Sequence, residues 1–176
     1  MRQVLLLRGI NIGKRRVAMP ALRELLTEAG YGDVETYVQS GNVVVSSGLA
    51  QRKLARESAA LISERFGFDV PVVVRTATEL ARVVKANPLG DVADNDKRYQ
   101  VCFLDRALDA ETAERLRGLV VEPEALAIDG REIYAWHPDG IARSKLWNNI
   151  ASKGLGATGT ARNWTTVKTL LEMAQG

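Results

Sequence analysis

One cysteine and one histidine in 176 residues leave little from which to build a metal centre. A structural zinc site takes about four Cys or His ligands, and HExxH and CxxC motifs are absent. A single Cys forms no internal disulfide, and the first residues read as a strand rather than a signal peptide. The expected home is therefore a reducing cytoplasm. No apolar run approaches the ~18 residues of a membrane span. Neither Gly-Lys-Ser nor Gly-Lys-Thr occurs, which excludes a P-loop, and GxSxG is missing too. Aromatics are 6% of the chain, and no aromatic run marks a strand as a base-stacking platform. Trp136, Trp147 and Trp164 read as core residues. Charge of one sign is also scarce: 24 Lys/Arg against 21 Asp/Glu give a net +3, too little to require a polyanionic partner.

What charge there is lies unevenly. Residues 1–80 carry a balance of +3, 81–142 of −4 and 143–176 of +4. Hydrophobic period and turn chemistry divide the chain in the same way. Val4–Arg8 reads as a strand; Leu22, Leu25, Leu26 and Ala29 make a helical stripe behind Pro20 and before Gly30. Val34–Gln39 and Val43–Ser47 are β-rich runs around Ser40-Gly41-Asn42, a hairpin in which Gly41 supplies a positive φ. Ala55, Ala59, Ile62 and Phe66 form a second stripe, and Val70–Arg75, with Pro71 near its start, reads as an edge strand. A short helix over Leu80–Val84 ends near Asn87, because Pro88 disfavours helix before it. After the polar stretch Asp91–Lys97 the pattern restarts. Tyr99–Leu104 is a strand, Ala113, Leu116 and Val120 mark a helix, and two β runs meet at Asp129-Gly130. Helices over Ser144–Ala151 and Trp164–Ala174 complete a βαββα half.

The expected fold is α+β: two ferredoxin-like (split βαβ) units in tandem, each an antiparallel sheet with helices on one face. The expected boundaries are 1–76 for the first unit, 77–97 for a short helix and acidic linker, and 98–176 for the second unit with its C-terminal helix.

Three stretches concentrate polar chemistry. In Leu7–Arg16, two glycines let backbone N–H groups approach a ligand, and Arg8 offers a planar donor fork to phosphate or carboxylate. Arg8 and Asn11 lead this group, with Lys14 as a further basic contact. In Tyr37–Val43, Gln39, Ser40 and Asn42 set amides and a hydroxyl around one turn, although Ser and Asn there also bond to turn backbone. In a split βαβ unit this hairpin and the loop after the first strand are expected at opposite ends of their strands. The third stretch runs from Ser144-Lys145 to Trp164. Its Gly154, Gly156 and Gly159 match the dinucleotide fingerprint in letters alone, since a helix precedes them and no βαβ unit follows. What remains is a glycine-rich loop expected to open a helix, with Lys145, Lys153 and Arg162 as cations and Asn163 as ligand contact or plain N-cap. Cys102 reads as a buried thiol, and His137, alone of its kind, as no zinc ligand.

Leu-Leu-Arg-Gly-Ile-Asn at 6–11, Tyr-Val-Gln-Ser-Gly-Asn-Val at 37–43 and Thr-Ala-Arg-Asn-Trp-Thr-Thr-Val at 160–167 resemble, in order and spacing, the bacterial domain-of-unknown-function family 1697. The resemblance implies a cytoplasmic α+β protein of paired ferredoxin-like units, and adds weight to Arg8, Asn11, Gln39, Ser40, Asn42, Arg162 and Asn163 as site residues. It brings no activity and no cofactor. The leading expectation is a protein binding a phosphorylated or anionic ligand, a nucleotide or short nucleic-acid segment, without metal or cofactor and without a membrane. A metal-independent enzyme acting on a small anionic metabolite is the alternative, with Asp33, Glu35 and Asp139 as bases by composition only. A third reading is a structural or interaction protein forming a homodimer through an exposed sheet edge; under the other readings the oligomeric state is left between monomer and homodimer.

Overall fold

The computed structural model describes all residues, 1–176. Two compact units emerge: residues 1–81 together with 170–176, and residues 82–169.

The first unit runs β1 (Arg2–Leu7), α1 (Met19–Glu28), β2 (Gly32–Tyr37), β3 (Asn42–Ser46), α2 (Gln51–Phe66) and β4 (Val72–Thr76), with α3 (Ala77–Ala86) following directly. Its strands form an antiparallel sheet in the order β2-β3-β1-β4. Strand alternation turns Leu5, Leu7, Val43, Val45, Val72 and Val74 to one face, against Leu22 and Leu26 of α1 and Leu54 and Ile62 of α2. Each such side chain stabilises by about 1.5–3 kcal/mol when fully buried. Local chemistry sets the ends. Pro20 sits in the first turn of α1, where its missing N–H costs nothing. Gly67, at φ 82°, closes α2 with its N–H on the Ser63 carbonyl. Thr76 and Glu79 form a reciprocal capping box at the start of α3, with distances of 3.2 and 2.9 Å.

The second unit runs β5 (Tyr99–Leu104), α4 (Ala110–Arg117), β6 (Ala125–Asp129), β7 (Glu132–Trp136), α5 (Lys145–Ile150) and β8 (Gly159–Asn163), followed by α6 (Trp164–Gln175). The sheet order β6-β7-β5-β8 repeats that of the first unit. Cys102, Leu104, Ile133 and Ala135 face Leu116 of α4 and Leu146 and Ile150 of α5. Cys102 is buried and unbridged.

One expectation is overturned. The glycine-rich stretch does not open a helix: β8 stands between it and α6 and pairs with β5, so each unit is a complete βαββαβ. Gly-Thr-Ala-Arg-Asn has no apolar alternation, and its strand comes from pairing with β5 rather than from propensity. Close approach explains Gly159, where a Cβ would lie 2.8 Å from both Cys102 Sγ and Leu104 Cδ2. The two ladders correspond: Gln3 opposite Thr76 and Val4 opposite Arg75 match Gln100 opposite Asn163 and Val101 opposite Arg162.

Candidate functional site

The first unit gathers its sequence motifs at one end of the sheet. Because β1 and β3 are antiparallel, with Leu6 opposite Asn42, the end of β1 meets the start of β3. The loop after β1 and the β2–β3 hairpin therefore share one end, correcting the expectation of opposite ends. Asn11 ties them together. Its Nδ2 donates to the carbonyls of Gln39 at 2.5 Å and Val17 at 3.0 Å, while its Oδ1 accepts from Val17 N–H at 2.9 Å. Asn11 itself holds φ 56°, a left-handed conformation that Asn tolerates better than most residues.

Both loops enter the left-handed region, freely at glycine and at a cost at Asn11 and Val38. Gly9, Asn11 and Gly13 in one, and Val38 and Gly41 in the other, all have positive φ. Val38 at φ 50° is a β-branched residue in a region such residues avoid, at a cost of roughly 1–3 kcal/mol. Two features favour glycine at 41: φ 90°, and a Cβ position 2.6 Å from Leu7 Cβ. Arg15 braces the loop, with Nε donating to the Gly9 carbonyl at 2.7 Å, Nη2 to the Asp69 carbonyl, and its guanidinium over the Phe68 ring at 4.6 Å.

Around this frame, Arg8 is half-buried, while Lys14, Arg16, Gln39 and Ser40 are exposed. Asn42 is buried, its amide donating to the Tyr37 carbonyl and Ser40 Oγ at 3.2 and 3.0 Å. Two apolar side chains stand out of the same pair of loops: Ile12 is 67% exposed and Val38 53%.

The remaining sequence candidates lie in the second unit and do not gather. Arg162 is buried in β8, donating to Thr160 Oγ1 at 2.7 Å and the Ala161 carbonyl at 2.9 Å. Loss of hydration pulls its pKa down to about 10, which still leaves it cationic at neutral pH. Asn163 caps α6, its Oδ1 accepting from Thr166 N–H at 2.9 Å. Lys153 is exposed after α5, and Lys145 begins that helix. Trp164 stacks on Tyr99 with ring centroids 4.5 Å apart, a core role.

Lys145 lines something the sequence reading passed over. Residues 121–124, leading into β6, and 137–145, between β7 and α5, enclose an open cavity of about 620 Å³. Glu124 organises it. His137 Nδ1 lies 2.8 Å from Glu124 Oε2, Ser144 Oγ donates to the same oxygen at 2.5 Å, and Val121 N–H reaches Oε1 at 3.3 Å. Ser144 also caps α5, accepting from Trp147 N–H at 3.0 Å. Burial acts to raise the Glu124 pKa, but the hydrogen bonds from Ser144, His137 and Val121 outweigh it and hold the carboxyl below its ordinary value. An ionised carboxylate only accepts, so His137 Nδ1 carries the proton of this bond. This is not a nucleophilic triad: there the imidazole stands between hydroxyl and carboxylate, whereas here the carboxylate stands between the other two.

Fold and sites together define a tandem α+β protein: two antiparallel four-stranded sheets, each with its own helical layer and its own elaborated loop cluster. The chain belongs to the family described as protein of unknown function (DUF1697), whose model matches residues 1–134. It is similar in fold to the solved structure of a conserved bacterial protein from Streptococcus pneumoniae, with a TM-score of 0.77 and 23% identity over 99% of this chain and 98% of that one. No curated protein matches the chain. No helix is long and apolar enough to cross a membrane.

Proposed function

We propose that the protein binds a phosphorylated ligand, a nucleotide or short nucleic-acid segment, on the tied loops of the first unit. The observation that carries this reading is the Asn11 clamp, which fixes the cationic loop to the hairpin through the Gln39 carbonyl at 2.5 Å. Arg8, Lys14 and Arg16 would meet phosphate, positioning it through charge-assisted hydrogen bonds. Gln39 and Ser40 would supply orientation through exposed donors and acceptors. Ile12 and Val38 offer apolar contact to the flat face of a base, a partner that simple phosphate binding does not call for. Strain held in both loops is the kind of conformational cost that persists where surrounding contacts over-determine a binding geometry.

Thermal unfolding against mononucleotides and short RNA and DNA oligomers tests it. A ligand bound only by the folded state stabilises by about 2.7 kcal/mol at a hundredfold excess over Kd. The expected result is such a shift with at least one member, lost in a Lys14→Ala/Arg16→Ala double variant whose unfolding without ligand is unchanged. Equal shifts in both proteins, or none across the panel, would refute the assignment.

A further inference from the structure

We propose that the cavity of the second unit is a separate site for a small zwitterion with an apolar body, an amino acid or dipeptide. The argument begins with hydrogen-bond supply. Glu124 has both donors from Ser144 and His137 on Oε2, and Oε1 keeps only the long contact to Val121 N–H. At 14% exposure this carboxylate is held in place by protein groups while still reaching the cavity. An ionised, oriented acceptor with spare lone pairs recognises an ammonium group. His137 Nε2, on a side chain with no exposure at all, is the other nitrogen of the same constellation and has no hydrogen-bond partner. That atom is out of a ligand's reach, so the seat for the ammonium rests on Glu124.

The charges decide between ligand classes. Glu122, Glu124 and Asp139 line the cavity together with Arg143 and Lys145, so acids outnumber bases by one. A polyanion would meet net repulsion, and a simple cation would leave Arg143 and Lys145 without use. A zwitterion satisfies both: ammonium on Glu124, carboxylate on Arg143 and Lys145. Val121, Pro123, Pro138 and Ala142 give the walls apolar surface. The volume of about 620 Å³ is ordinary for a small-molecule site.

The segments that carry these groups are anchored. Residues 124 and 137 stand one position beyond the last pair of the β6–β7 ladder, Ala125 opposite Trp136. Arg98 accepts His137 N–H on its carbonyl at 3.2 Å and donates from Nη1 to the Pro138 carbonyl. Trp147 meets the imidazole edge-on, with centroids 5.3 Å apart. The acceptor is thus in place before any ligand arrives, which lowers the ordering cost of binding.

His137 is the only histidine, so its ring resonances in an NMR spectrum report on this cavity alone. The wild-type protein is titrated with leucine, phenylalanine and leucyl-leucine, and in parallel with N-acetyl-leucine and leucine amide, which lack the ammonium and the carboxylate respectively. The expected result is a saturable shift of the His137 signals with at least one zwitterion, and affinities lower by about tenfold or more for both blocked derivatives. Glu124→Gln should weaken binding by a similar factor; Arg143→Ala, on an exposed side chain, gives a second reading if the Gln variant folds poorly. No His137 shift with any zwitterion up to about 10 mM, or blocked derivatives binding as well as leucine, overturns the proposal. Because the probes are not nucleotides and the signal is in the second unit, the outcome is independent of the phosphate site in the first.

Discussion

The two units share a strand order and a ladder register but elaborate opposite ends of their sheets. In the first, Arg8–Ala18 links β1 to α1 in eleven residues and 38–41 forms the hairpin in four; in the second the same connections take five residues and two. The second unit lengthens the link from its third strand to its second helix instead, with eight residues at 137–144 against four at 47–50. The difference in chemistry follows. The first unit's loops are glycine-rich, cationic and held against their strain by Asn11 and Arg15 hydrogen bonds; the second unit's are held by a carboxylate that collects donors. A repeated scaffold carries two unlike surfaces, because loops tolerate variation where the ladders do not.

Glycine substitution breaks this comparison most sharply. Gly41→Ala meets both a 2.6 Å clash with Leu7 Cβ and a positive φ, whereas Gly159→Ala meets only side-chain ends at 2.8 Å and no φ penalty. Overpacking costs about 1–3 kcal/mol, and a left-handed residue adds about 1–2. Urea denaturation is expected to show a loss of about 2–5 kcal/mol for Gly41→Ala and a smaller one for Gly159→Ala. The opposite order would mean that the hairpin yields more readily than β8.

The clamps come next, and they differ between units in their pH response. Asn11→Ala removes three hydrogen bonds from the side-chain amide to the backbone of Val17 and Gln39, for an expected loss of about 1–3 kcal/mol at any pH from 4 to 8. Glu124 behaves otherwise. Its folded pKa is depressed, so the unfolded chain binds more protons in the acid range. The stabilisation it brings is present above about pH 5 and is lost as pH falls through the depressed folded value. Urea midpoints measured from pH 7 to pH 3 should therefore fall less steeply in Glu124→Gln than in the wild type. Parallel curves would remove Glu124 from the acid-sensitive groups.

Much of the fold was legible, because apolar period and turn residues agree along most of it. Tyr99–Leu104 and the Asp129-Gly130 hairpin were read directly, and Gly41 takes the positive φ its turn requires. β8 was not legible, since Gly-Thr-Ala-Arg-Asn becomes a strand only through β5. The site was partly legible. Glycine and charge marked the loop after β1, but that Asn11 would spend its amide on Gln39 and Val17 depends on tertiary placement. The Glu124–His137 pair was within reach of sequence: a two-residue turn at 130–131 sets 129 opposite 132 and hence 124 opposite 137. Carrying the register one step past each strand would have found it.

The smallest effect separates capping from ligand contact at the repeated strand-to-helix junction. Thr76 and Asn163 occupy corresponding ladder positions, and each accepts a backbone N–H three residues on, at 3.2 Å from Glu79 and 2.9 Å from Thr166. Replacing an N-cap by Ala costs about 1 kcal/mol, while Ser or Asp in place of Asn costs far less. Thr76→Ala and Asn163→Ala should thus lower stability by similar amounts, and Asn163→Ser should restore nearly all of it. Unfolding measured with and without the nucleotide panel then reads the second role. If Asn163→Ser keeps both stability and ligand shift, capping accounts for the residue. If stability returns but the shift is lost, the Asn163 amide serves a ligand contact of the second unit's own.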